Sequence, residues 1–326
     1  MHKIKFLQDK INKEVNSLCE ELHLEPEDLY DPISYTLSLG GKRMRPVLLL
    51  MGCELFGGDI ERAVLPALAI ELFHNFTLVH DDIMDNAPLR RNHPSVYSKW
   101  NSNTAILSGD AMLVKAYQHI SKCDRTILPK VLDVFNDAAI KVCEGQQLDM
   151  NYEEQDNITV SDYLGMIELK TAVLLASSLQ IGASIGGASD EEAQHLYNFG
   201  KNIGMAFQLQ DDILDVYGDQ QKFGKQVGGD IVSNKKTFLL LQAIELAKGE
   251  MLNELRTILG TKNFDPWEKV KAVKRIYDQL NIKERTKEKM QYYHWLGLKH
   301  LSEVKVAEEK KTVLISFTES LIVREI

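Results

Sequence analysis

Two clusters of aspartates are the residues whose types and spacing could support chemistry. Each has the pattern Asp-Asp-x-x-Asp at the end of an apolar stretch, and the members are Asp81, Asp82, Asp85, Asp211, Asp212 and Asp215. On a helix, carboxylates four residues apart lie on one face and repel each other by about 0.2–0.5 kcal/mol. A single cluster of this kind is typical of a solvated acidic turn. The second copy favours a cation site instead.

Basic residues that could bind phosphate flank the first cluster on both sides. They are Lys42, Arg43, Arg45, Arg90 and Arg91. Mg²⁺ is usually held by one or two carboxylates together with substrate phosphates, and Lys and Arg balance the remaining charge of a diphosphate. No Ser/His/Asp triad, nucleophilic thiol or zinc-ligand spacing competes with this interpretation. The residues therefore predict a site for polyanionic substrates and hard cations.

Two further features near the first cluster have more than one interpretation. The segment 40–46, GGKRMRP, could bring backbone and helix N-terminus close to an anion, but taken alone it favours a solvated basic loop. His74 lies seven residues before Asp81, about 10.5 Å along a helix axis and on nearly the same face. A structural core histidine is an equally good interpretation of His74.

Apolar residues recur at helical spacing through most of the chain. The predicted helices cover residues 4–22, 63–80, 103–120, 126–149 and 161–187, and a Ser189–Glu192 capping box opens a helix that runs to 215. Asp265-Pro266 begins a further helix, and the last ~60 residues are helical in pattern. No convincing run of strands is present. The predicted fold class is all-α.

Some polar and proline positions refine this prediction. Helix 63–80 is apolar on almost every side, with polar exceptions at His74, Asn75 and Thr77. Pro26 and Pro32 are predicted to lie in a connection between helices. The acidic stretch 153–156 is predicted to form a solvated loop after the helix that ends at 149.

The composition is that of a globular protein without a visible linker. The chain has 326 residues, of which 44% are hydrophobic and 26% charged, and its net charge of −9 argues against a nucleic-acid partner. The apolar runs are shorter than the ~20 residues of a membrane span, and the first residues lack the apolar core of a signal peptide. The length would allow about two domains, but we expect a single domain over 1–326. We also expect a cytoplasmic location, no stable membrane insertion, and four cysteines kept as buried thiols.

Six motifs in order give the sequence a recognisable pattern. Besides GGKRMRP, the arginine pair and the aspartate clusters, they include Lys170, Thr171, Phe207, Gln208, Lys225 and Lys235. In combination, from Gly40 to about Leu241, they resemble the trans-type isoprenyl diphosphate synthases of the polyprenyl synthetase family, in particular the short-chain geranylgeranyl and farnesyl diphosphate synthases. The resemblance implies a bundle of antiparallel helices around a deep central cavity, usually as a homodimer. One departure is Asn92, where the family usually has glycine; asparagine tolerates a left-handed backbone better than most residues.

The resemblance also implies a reaction and a role for each motif. Isopentenyl diphosphate condenses with an allylic diphosphate (dimethylallyl, geranyl or farnesyl) by Mg²⁺-assisted ionisation, condensation and elimination, and the departing diphosphate takes the proton. The implied ligands of three Mg²⁺ ions are Asp81, Asp85 and Asp211; Asp82, Asp212 and Asp215 belong to the same catalytic motifs. The implied diphosphate ligands are Arg90, Lys170 and Lys225 for the allylic substrate, Lys42, Arg45, His74 and Arg91 for isopentenyl diphosphate, and Lys235 as a further substrate-binding residue. Thr171, Gln208 and the Lys170 carbonyl would shelter the allylic cation.

Phe76 and Thr77 are the expected determinants of product length. A growing chain runs from the aspartates into the protein, and Phe76 precedes Asp81 by five residues, about 7.5 Å along a helix. A helical wheel rotates Phe76 by about 140° from Asp81, so geometry alone does not distinguish it from a core phenylalanine. In the family, an aromatic residue here is a recurrent floor of the cavity. One aromatic beside one small residue implies a C20 product, with C15 as the alternative.

Two other functions remain open at this stage. A class I terpene cyclase shares the Asp-Asp-x-x-Asp helix and Mg²⁺, but it does not need a second diphosphate site, and its cavity would favour more than 8% aromatic residues. A non-catalytic partner subunit of a synthase typically lacks one aspartate motif, whereas both are intact here.

Overall fold

The computed structural model describes residues 2–218, 228–261, 263 and 265–322. The chain forms two compact units. Unit 1 comprises Met1–Asp137, Leu174–Tyr197 and Glu303–Ile315, and unit 2 comprises Ala138–Val173, Asn198–Ser302 and Ser316–Ile326.

Helices make up nearly all of the regular structure. The first six are α1 (His2–Glu21), α2 (Glu27–Ser38), α3 (Met44–Leu55), α4 (Val64–Met84), α5 (Val96–Lys99) and α6 (Ser102–Ile120). The next four are α7 (Leu128–Glu154), α8 (Val160–Ile167), α9 (Val173–Ile185) and α10 (Asp190–Tyr217), with a π-helical turn, Glu168–Ala172, between α8 and α9. The remaining helices are α11 (Gly229–Val232), α12 (Phe238–Leu246), α13 (Gly249–Gly260), α14 (Pro266–Gln279), α15 (Ile282–Ser302) and α16 (Glu308–Ile322).

Strands are confined to one minimal hairpin among the residues that the structure describes. Its strands, β1 (Leu89–Arg90) and β2 (His93–Pro94), pair antiparallel around a turn in which Asn92 has φ 62°. The asparagine therefore adopts the left-handed conformation expected for this position. The predicted all-α fold class is confirmed.

Two predicted boundaries were wrong. Pro32 lies inside α2 rather than in a connection; a proline costs one helical hydrogen bond, but Pro32 and Ile33 are both buried, so packing retains the helix. The acidic stretch after Asp149 continues α7 to Glu154, because Tyr152 packs against an apolar cluster of unit 2. Glu153 and Glu154 remain exposed, so the helix continues without burying their charge.

The predicted helix starts are correct where side chains cap them. The Ser189 hydroxyl accepts from the Glu192 amide at 3.2 Å, and the Glu192 carboxylate accepts from the Ser189 amide at 3.1 Å. Asp265 caps α14 with Pro266 in its first turn. The reciprocal bonds of Ser189 and Glu192, and the single bond from the Glu268 amide to Asp265, satisfy amides that have no partner within the helix.

In unit 1, α4 is buried on almost all sides and packs most extensively against α6. A Cβ atom added at Gly109 would lie 2.5 Å from His80 Cδ2, so the absence of a side chain there permits the close approach. His80 Nε2 lies 3.0 Å from the carbonyl oxygen of Ile106. Among the buried residues of α4, two are charged: Glu71, which is 2% exposed, and Asp82, which is 3% exposed.

Small residues bring α3 and α9 together, as their clustering in the sequence suggested. A Cβ added at Gly52 would lie 2.7 Å from the Leu179 carbonyl oxygen, and one at Gly182 would overlap the Leu49 carbonyl. Backbone therefore meets backbone at this crossing. Alanine at either position would require the helices to move apart.

In unit 2, two apolar clusters hold the C-terminal part of α10. Leu209 belongs to a cluster with Tyr163 and Phe238, and Val216 belongs to a second cluster with Ile231 and Tyr277. The second aspartate motif lies between these two anchored positions. Its backbone is therefore fixed from both sides.

Two helical segments are long and apolar enough to cross a membrane by length and composition alone. They are Ile60–Met84 and Val160–Ile185, and 72% and 61% of their apolar windows are buried inside the protein. Mostly buried core helices of soluble proteins also meet this criterion of length and composition, so the two segments are weak evidence for a membrane span.

The cysteines differ from the expectation that all four are buried. Cys53 and Cys123 are buried, Cys19 is partly exposed and Cys143 is exposed; all four are free thiols. Burial raises the pKa of the Cys53 thiol to about 11. The buried-thiol prediction is therefore correct for two of the four.

Candidate active site

The first aspartate cluster lies at the C-terminal end of α4. Asp82 is 3% exposed, and its Oδ1 accepts hydrogen bonds from Arg90 Nε at 2.9 Å and Nη2 at 2.5 Å. Asp81 Oδ2 is 3.7 Å from Arg90 Nη2, and Asp85, the C-cap residue, is exposed. Burial opposes the charge on Arg90, but Asp82, Asp81 and Asp85 together raise its pKa. The cluster thus has one inward carboxylate and two accessible ones.

The second cluster repeats this division near the end of α10. Asp212 is 3% exposed; its Oδ2 accepts from the Tyr163 hydroxyl at 2.5 Å and its Oδ1 from Gln208 Nε2 at 3.1 Å. Burial raises the pKa of Asp212 to about 7, although these two hydrogen bonds oppose the shift. Asp211 and Asp215 are partly exposed. One Asp215 oxygen, Oδ2, accepts from the Asp230 amide at 3.0 Å.

The accessible carboxylates fit a hard cation bound together with substrate. Among the described residues, no group of three or more His, Cys, Asp or Glu side chains could hold a metal ion unaided. Mg²⁺ prefers such incomplete sites, keeping water or phosphate oxygens as its other ligands. Both clusters also lie near helix C-termini, where the backbone dipole favours positive charge. Asp81, Asp85, Asp211 and Asp215 thus have the exposure that metal binding requires; Asp81, Asp85 and Asp211 are the three that the resemblance implies as ligands.

The residues assigned to isopentenyl diphosphate form a basic cluster in unit 1. Arg45 Nη1 lies 3.0 Å from His74 Nε2. Because a guanidinium can only donate, Nε2 of His74 accepts, and the proton of the neutral ring is on Nδ1. Burial, followed by the charges of Arg45, Arg91, Arg90 and Arg43, lowers the His74 pKa well below its ordinary value. His74 is therefore neutral among arginines.

Gly40 and Gly41, in the same cluster, lie close to the guanidinium of Arg91. Arg91 Nη1 donates to the Gly40 carbonyl, and a Cβ at Gly41 would lie 2.8 Å from Arg91 Nη2. Gly41 also has φ 134°, which disfavours any other residue. Lys42 is exposed beside it, and its carbonyl accepts from Gln8 Nε2 at 3.2 Å. The glycines place Arg91 next to Lys42.

Arg43, one of the basic residues noted in the sequence, points inward. Its Nη1 lies 2.5 Å from Glu71 Oε1, its Nη2 donates to the Leu37 carbonyl at 2.6 Å, and its Nε donates to Asn12 Oδ1 at 3.2 Å. Asn75 Nδ2 also donates to Glu71 Oε1, at 3.1 Å. This buried network fixes the backbone from which Lys42 and Arg45 project. The network was not predicted from the sequence, although a glutamate inside an apolar helix was an available signal.

Lys170 and Thr171 lie in the π-helical turn of unit 2. The turn is defined by a hydrogen bond from the Val173 amide to the Glu168 carbonyl. Lys170 Nζ lies 2.6 Å from Asp149 Oδ2, so the lysine in this apolar helix has the acidic partner that burial requires. A Cβ at Gly145 would lie 2.7 Å from the Lys170 Cα. Helix α7 therefore abuts the π turn directly.

A chain of hydrogen bonds sets the orientation of the Gln208 side chain. Gln208 Nε2 donates to Asp212, and its Oε1 accepts from the Thr171 hydroxyl at 3.1 Å. Tyr163, 2% exposed, holds the other oxygen of Asp212. Tyr163 was not identified from the sequence, since it lies 49 residues from Asp212 in an otherwise ordinary amphipathic helix.

The two remaining predicted lysines have different outcomes. Lys225 lies outside the described residues. Lys235 follows α11, its amide donates to the Asp230 carbonyl at 2.8 Å, and its charge lowers the pKa of Asp212 in opposition to burial. Lys235 is therefore close enough to the second aspartate cluster to act on it electrostatically.

Phe76 and Thr77 both lie on α4, before the first cluster. The Phe76 ring packs against Phe73 at 5.6 Å and His80 at 4.8 Å between centroids, and is 9% exposed. The Thr77 hydroxyl donates to the His74 carbonyl at 2.7 Å, and Thr77 is partly exposed. These contacts fit a phenylalanine of the hydrophobic core. They also leave open the interpretation of Phe76 as the floor of the product cavity, which the resemblance implies.

Comparison with known proteins agrees with this fold and these motifs. A family model described as polyprenyl synthetase matches residues 26–280. A geranylgeranyl diphosphate synthase of Methanosarcina mazei is 39% identical over 303 residues, 92% of this chain and 91% of the relative. A geranylfarnesyl diphosphate synthase of Natronomonas pharaonis is 38% identical over 70% of this chain and 72% of its own. A crystal structure of a geranylgeranyl pyrophosphate synthase matches all of both chains with a TM-score of 0.94 and 42% identity. The chain belongs to the polyprenyl synthetase family.

Proposed function

We propose that this protein is a prenyltransferase that condenses isopentenyl diphosphate with an allylic diphosphate to give C20 geranylgeranyl diphosphate. The observation that carries the proposal is the pair of aspartate clusters, each with accessible outer carboxylates and each accompanied by basic residues. Relatives named as geranylgeranyl diphosphate synthases, similar over most of the chain, support the C20 product. The primer is dimethylallyl, geranyl or farnesyl diphosphate. The matched range 26–280 includes residues of both units, which supports one functional domain. A cytoplasmic location is a further part of the proposal.

In the proposed mechanism, different residues of the chain bind the diphosphate of isopentenyl diphosphate and that of the allylic substrate. Arg45, Arg91 and Lys42 bind isopentenyl diphosphate, and neutral His74 can accept a hydrogen bond from Arg45 while its Nδ1–H remains a donor. Asp81, Asp85 and Asp211 would hold three Mg²⁺ ions, and bound Mg²⁺ would supply positive charge to stabilise the departing diphosphate.

The allylic substrate is held by residues that already have acidic partners. Lys170 is paired with Asp149 and Arg90 with Asp82, so their cations are presented in fixed positions; Lys225 and Lys235 add further positive charge. The Thr171 hydroxyl and the Gln208 carbonyl oxygen, oriented by Asp212, direct partial negative charge toward an allylic cation. The departing diphosphate accepts the proton in the final elimination, so no side chain is needed as a base.

Product chromatography tests the proposed function and its chain length together. With isopentenyl diphosphate and each allylic primer, we expect the wild-type protein to give a C20 product. Phe76→Ala should lengthen the product because it removes the expected floor, and Thr77→Phe should shorten it toward C15. Leu72→Ala is a matched control, since Leu72 is also buried in α4. A Phe76→Ala product distribution equal to that of the wild type would place the floor elsewhere.

The same assay separates the alternative functions. Turnover of an allylic diphosphate to a hydrocarbon without isopentenyl diphosphate would indicate a terpene cyclase. Absence of turnover by the purified protein alone, restored by a second synthase subunit, would indicate a non-catalytic partner. The Arg45–His74 cluster favours the prenyltransferase, because a cyclase has no second diphosphate to bind.

We also propose that the protein is a homodimer that uses α6. Leu107 and Val114, seven residues apart on one face of this helix, are 60% and 57% exposed, and such apolar stripes are typical of protein interfaces. We expect Leu107→Glu/Val114→Glu to elute as a monomer in size-exclusion chromatography with light scattering. Leu24→Glu, at another exposed position, should leave the dimer intact. A wild-type protein that is monomeric at micromolar concentration would contradict the proposal.

A further inference from the structure

Four side chains of unit 2 are joined end to end by hydrogen bonds, and the proposed mechanism gives no role to the innermost one, Tyr163. Its hydroxyl donates to Asp212 Oδ2 at 2.5 Å, and Asp212 Oδ1 accepts from Gln208 Nε2 at 3.1 Å. At the other end, Gln208 Oε1 accepts from the Thr171 hydroxyl at 3.1 Å. Tyr163 is 2% exposed, whereas Gln208 and Thr171 are partly exposed. Tyr163 is therefore too deeply buried to contact a substrate and can act only through its partners.

The orientation of the Gln208 amide depends on Asp212. Exchange of the Oε1 and Nε2 positions would leave the shape of the amide almost unchanged, and the Thr171 hydroxyl, which can donate or accept, would tolerate either arrangement. A carboxylate can only accept, so Asp212 binds Nε2 and leaves Oε1 beside Thr171. The oxygen carries the partial negative charge that stabilises a nearby cation, whereas the NH₂ group would carry the opposite sign. Asp212 therefore decides which end of the amide an allylic cation would meet.

The Tyr163 hydroxyl binds one oxygen of Asp212 and leaves the other for Gln208. Burial, followed by the charge of Asp212, raises the Tyr163 pKa well above its ordinary value, so the hydroxyl keeps its proton and donates. The bonds from Tyr163 and from Gln208 both lower the Asp212 pKa against the effect of burial, and thus favour the charged, accepting form. Without the tyrosine hydroxyl, one of the two bonds that hold the carboxylate in its rotamer would be lost.

The position of Tyr163 is itself well defined. Its ring packs in the apolar cluster with Leu209 and Phe238. Its helix, α8, begins with a capping box in which the Thr159 hydroxyl accepts from the Asp162 amide at 3.2 Å, and the Asp162 carboxylate accepts from the Thr159 amide at 2.9 Å. A tyrosine with a packed ring and a hydrogen-bonded tip can hold a polar partner in one orientation.

We propose that Tyr163 is a positioning residue for the ionisation of the allylic substrate, because it orients Asp212 and, through it, directs Gln208 Oε1 toward the allylic cation. The inference rests on the proposed function only in that the protein must ionise an allylic diphosphate. In that step the allylic C–O bond breaks and its electron pair leaves with the diphosphate. The positive charge that remains on the allylic carbons is the charge that Oε1 would stabilise.

Tyr163→Phe tests the proposal, because it removes the hydroxyl and keeps the ring. We expect kcat for condensation to fall by about 10–100-fold, the usual effect of losing a hydrogen-bond partner behind a metal-site residue. The Michaelis constant for isopentenyl diphosphate should stay close to that of the wild type. Tyr117→Phe is the matched control, since it removes a hydroxyl that donates to Asn136 Oδ1 at 2.9 Å in unit 1, and its kcat should be unchanged. Rates are measured at a pH well above the Asp212 pKa of about 7 to keep this carboxyl charged.

A partial reaction isolates the ionisation step. Isopentyl diphosphate lacks the double bond that attacks the cation, so with geranyl diphosphate and Mg²⁺ it should leave water to add to the cation. The products are geraniol and diphosphate, and the proton of the added water passes to the buffer. We expect Tyr163→Phe to slow geraniol release as well. A wild-type protein that releases geraniol but condenses no isopentenyl diphosphate would contradict the proposed function, and the effect of Tyr163→Phe on geraniol release would still decide the role of Tyr163.

A double-mutant cycle distinguishes positioning from a general loss of stability. In a Gln208→Met background, Tyr163→Phe should cause little further loss of geraniol release, because the amide that it orients is absent; two independent effects would multiply. A crystal structure of Tyr163→Phe gives a measurement that does not depend on activity. It should show the Asp212 carboxylate rotated and the Gln208 amide displaced from Thr171.

The proposal would be overturned by wild-type rates of Tyr163→Phe in both reactions, even with a lowered thermal midpoint, since the tyrosine would then only stabilise the fold. A multiplicative loss in the double variant would also overturn it. So would a Tyr163→Phe crystal structure in which Asp212 and Gln208 keep their wild-type positions.

Discussion

Replacing Asp81 or Asp211 by alanine should lower turnover by about two to three orders of magnitude while the protein stays folded. Each side chain is accessible, and its loss would weaken the binding of a cation at the leaving diphosphate. Removal of one such electrostatic contact typically costs about 2.7–4 kcal/mol of transition-state stabilisation, or 10²–10³-fold in rate. Steady-state kinetics across a Mg²⁺ titration measures the effect, with Asp133→Ala, at an exposed position of α7, as the control.

The inner aspartates provide a sharper comparison. Asp82→Asn removes the charge of a buried carboxylate that is paired with the partly exposed Arg90, so we expect a lower thermal midpoint and a Mg²⁺ dependence close to that of the wild type. Asp81→Ala should show the opposite pattern. Near-wild-type turnover of Asp81→Ala or Asp211→Ala at saturating Mg²⁺ would contradict the assignment of the outer carboxylates to metal.

Breaking the Arg43–Glu71 pair should give the largest loss of stability. Both side chains are 3% exposed, and removal of one member of a buried pair leaves an uncompensated charge that costs about 3–5 kcal/mol. We therefore expect Glu71→Ala to lower the free energy of unfolding by about that amount, as measured by urea denaturation. The Michaelis constant for isopentenyl diphosphate should rise as well, because the segment that carries Lys42 and Arg45 loses its anchor.

A double variant distinguishes the charge effect from a packing effect. Arg43→Met/Glu71→Met should recover much of the lost stability, since well-packed apolar residues can replace a buried ion pair. Lys10→Ala, which disrupts an exposed pair with Glu61, should change the unfolding free energy by no more than about 1 kcal/mol. Equal stability of the wild type and Glu71→Ala would show that Arg43 finds another partner.

Local patterns in the sequence were enough for the helices and their caps. The Ser189 capping box and the Asp265-Pro266 start are correct, because they depend on residues within one turn of each other. Which aspartate of each cluster points inward could also have been predicted. Asp82 and Asp212 each come three residues after a buried residue, Val79 and Leu209, and therefore lie on the inward side of their helices.

Features that depend on distant residues could not be predicted from the sequence. The partner of Glu71 is 28 residues away, and the guanidinium that faces Gly41 belongs to Arg91. Taken alone, each residue of such a contact also fits an ordinary role: the glutamate could be a charge on a helix surface, and the glycine could be part of a flexible loop. Only the folded chain brings the halves together. Tyr163 and the π turn likewise have no local signal.

The π turn at Glu168–Ala172 also affects how insertions and deletions would act in this region. An α-helix rotates about 100° per residue, so deleting one residue from the turn would restore an unbroken helix from α8 into α9. It would also swing Lys170 or Thr171 out of reach of Asp149 and Gln208. A chain lacking that residue could still pack this helix, but Lys170 would no longer be positioned to contact Asp149. The pairing of Lys170 with Asp149 is thus tied to the length of the segment as much as to its composition.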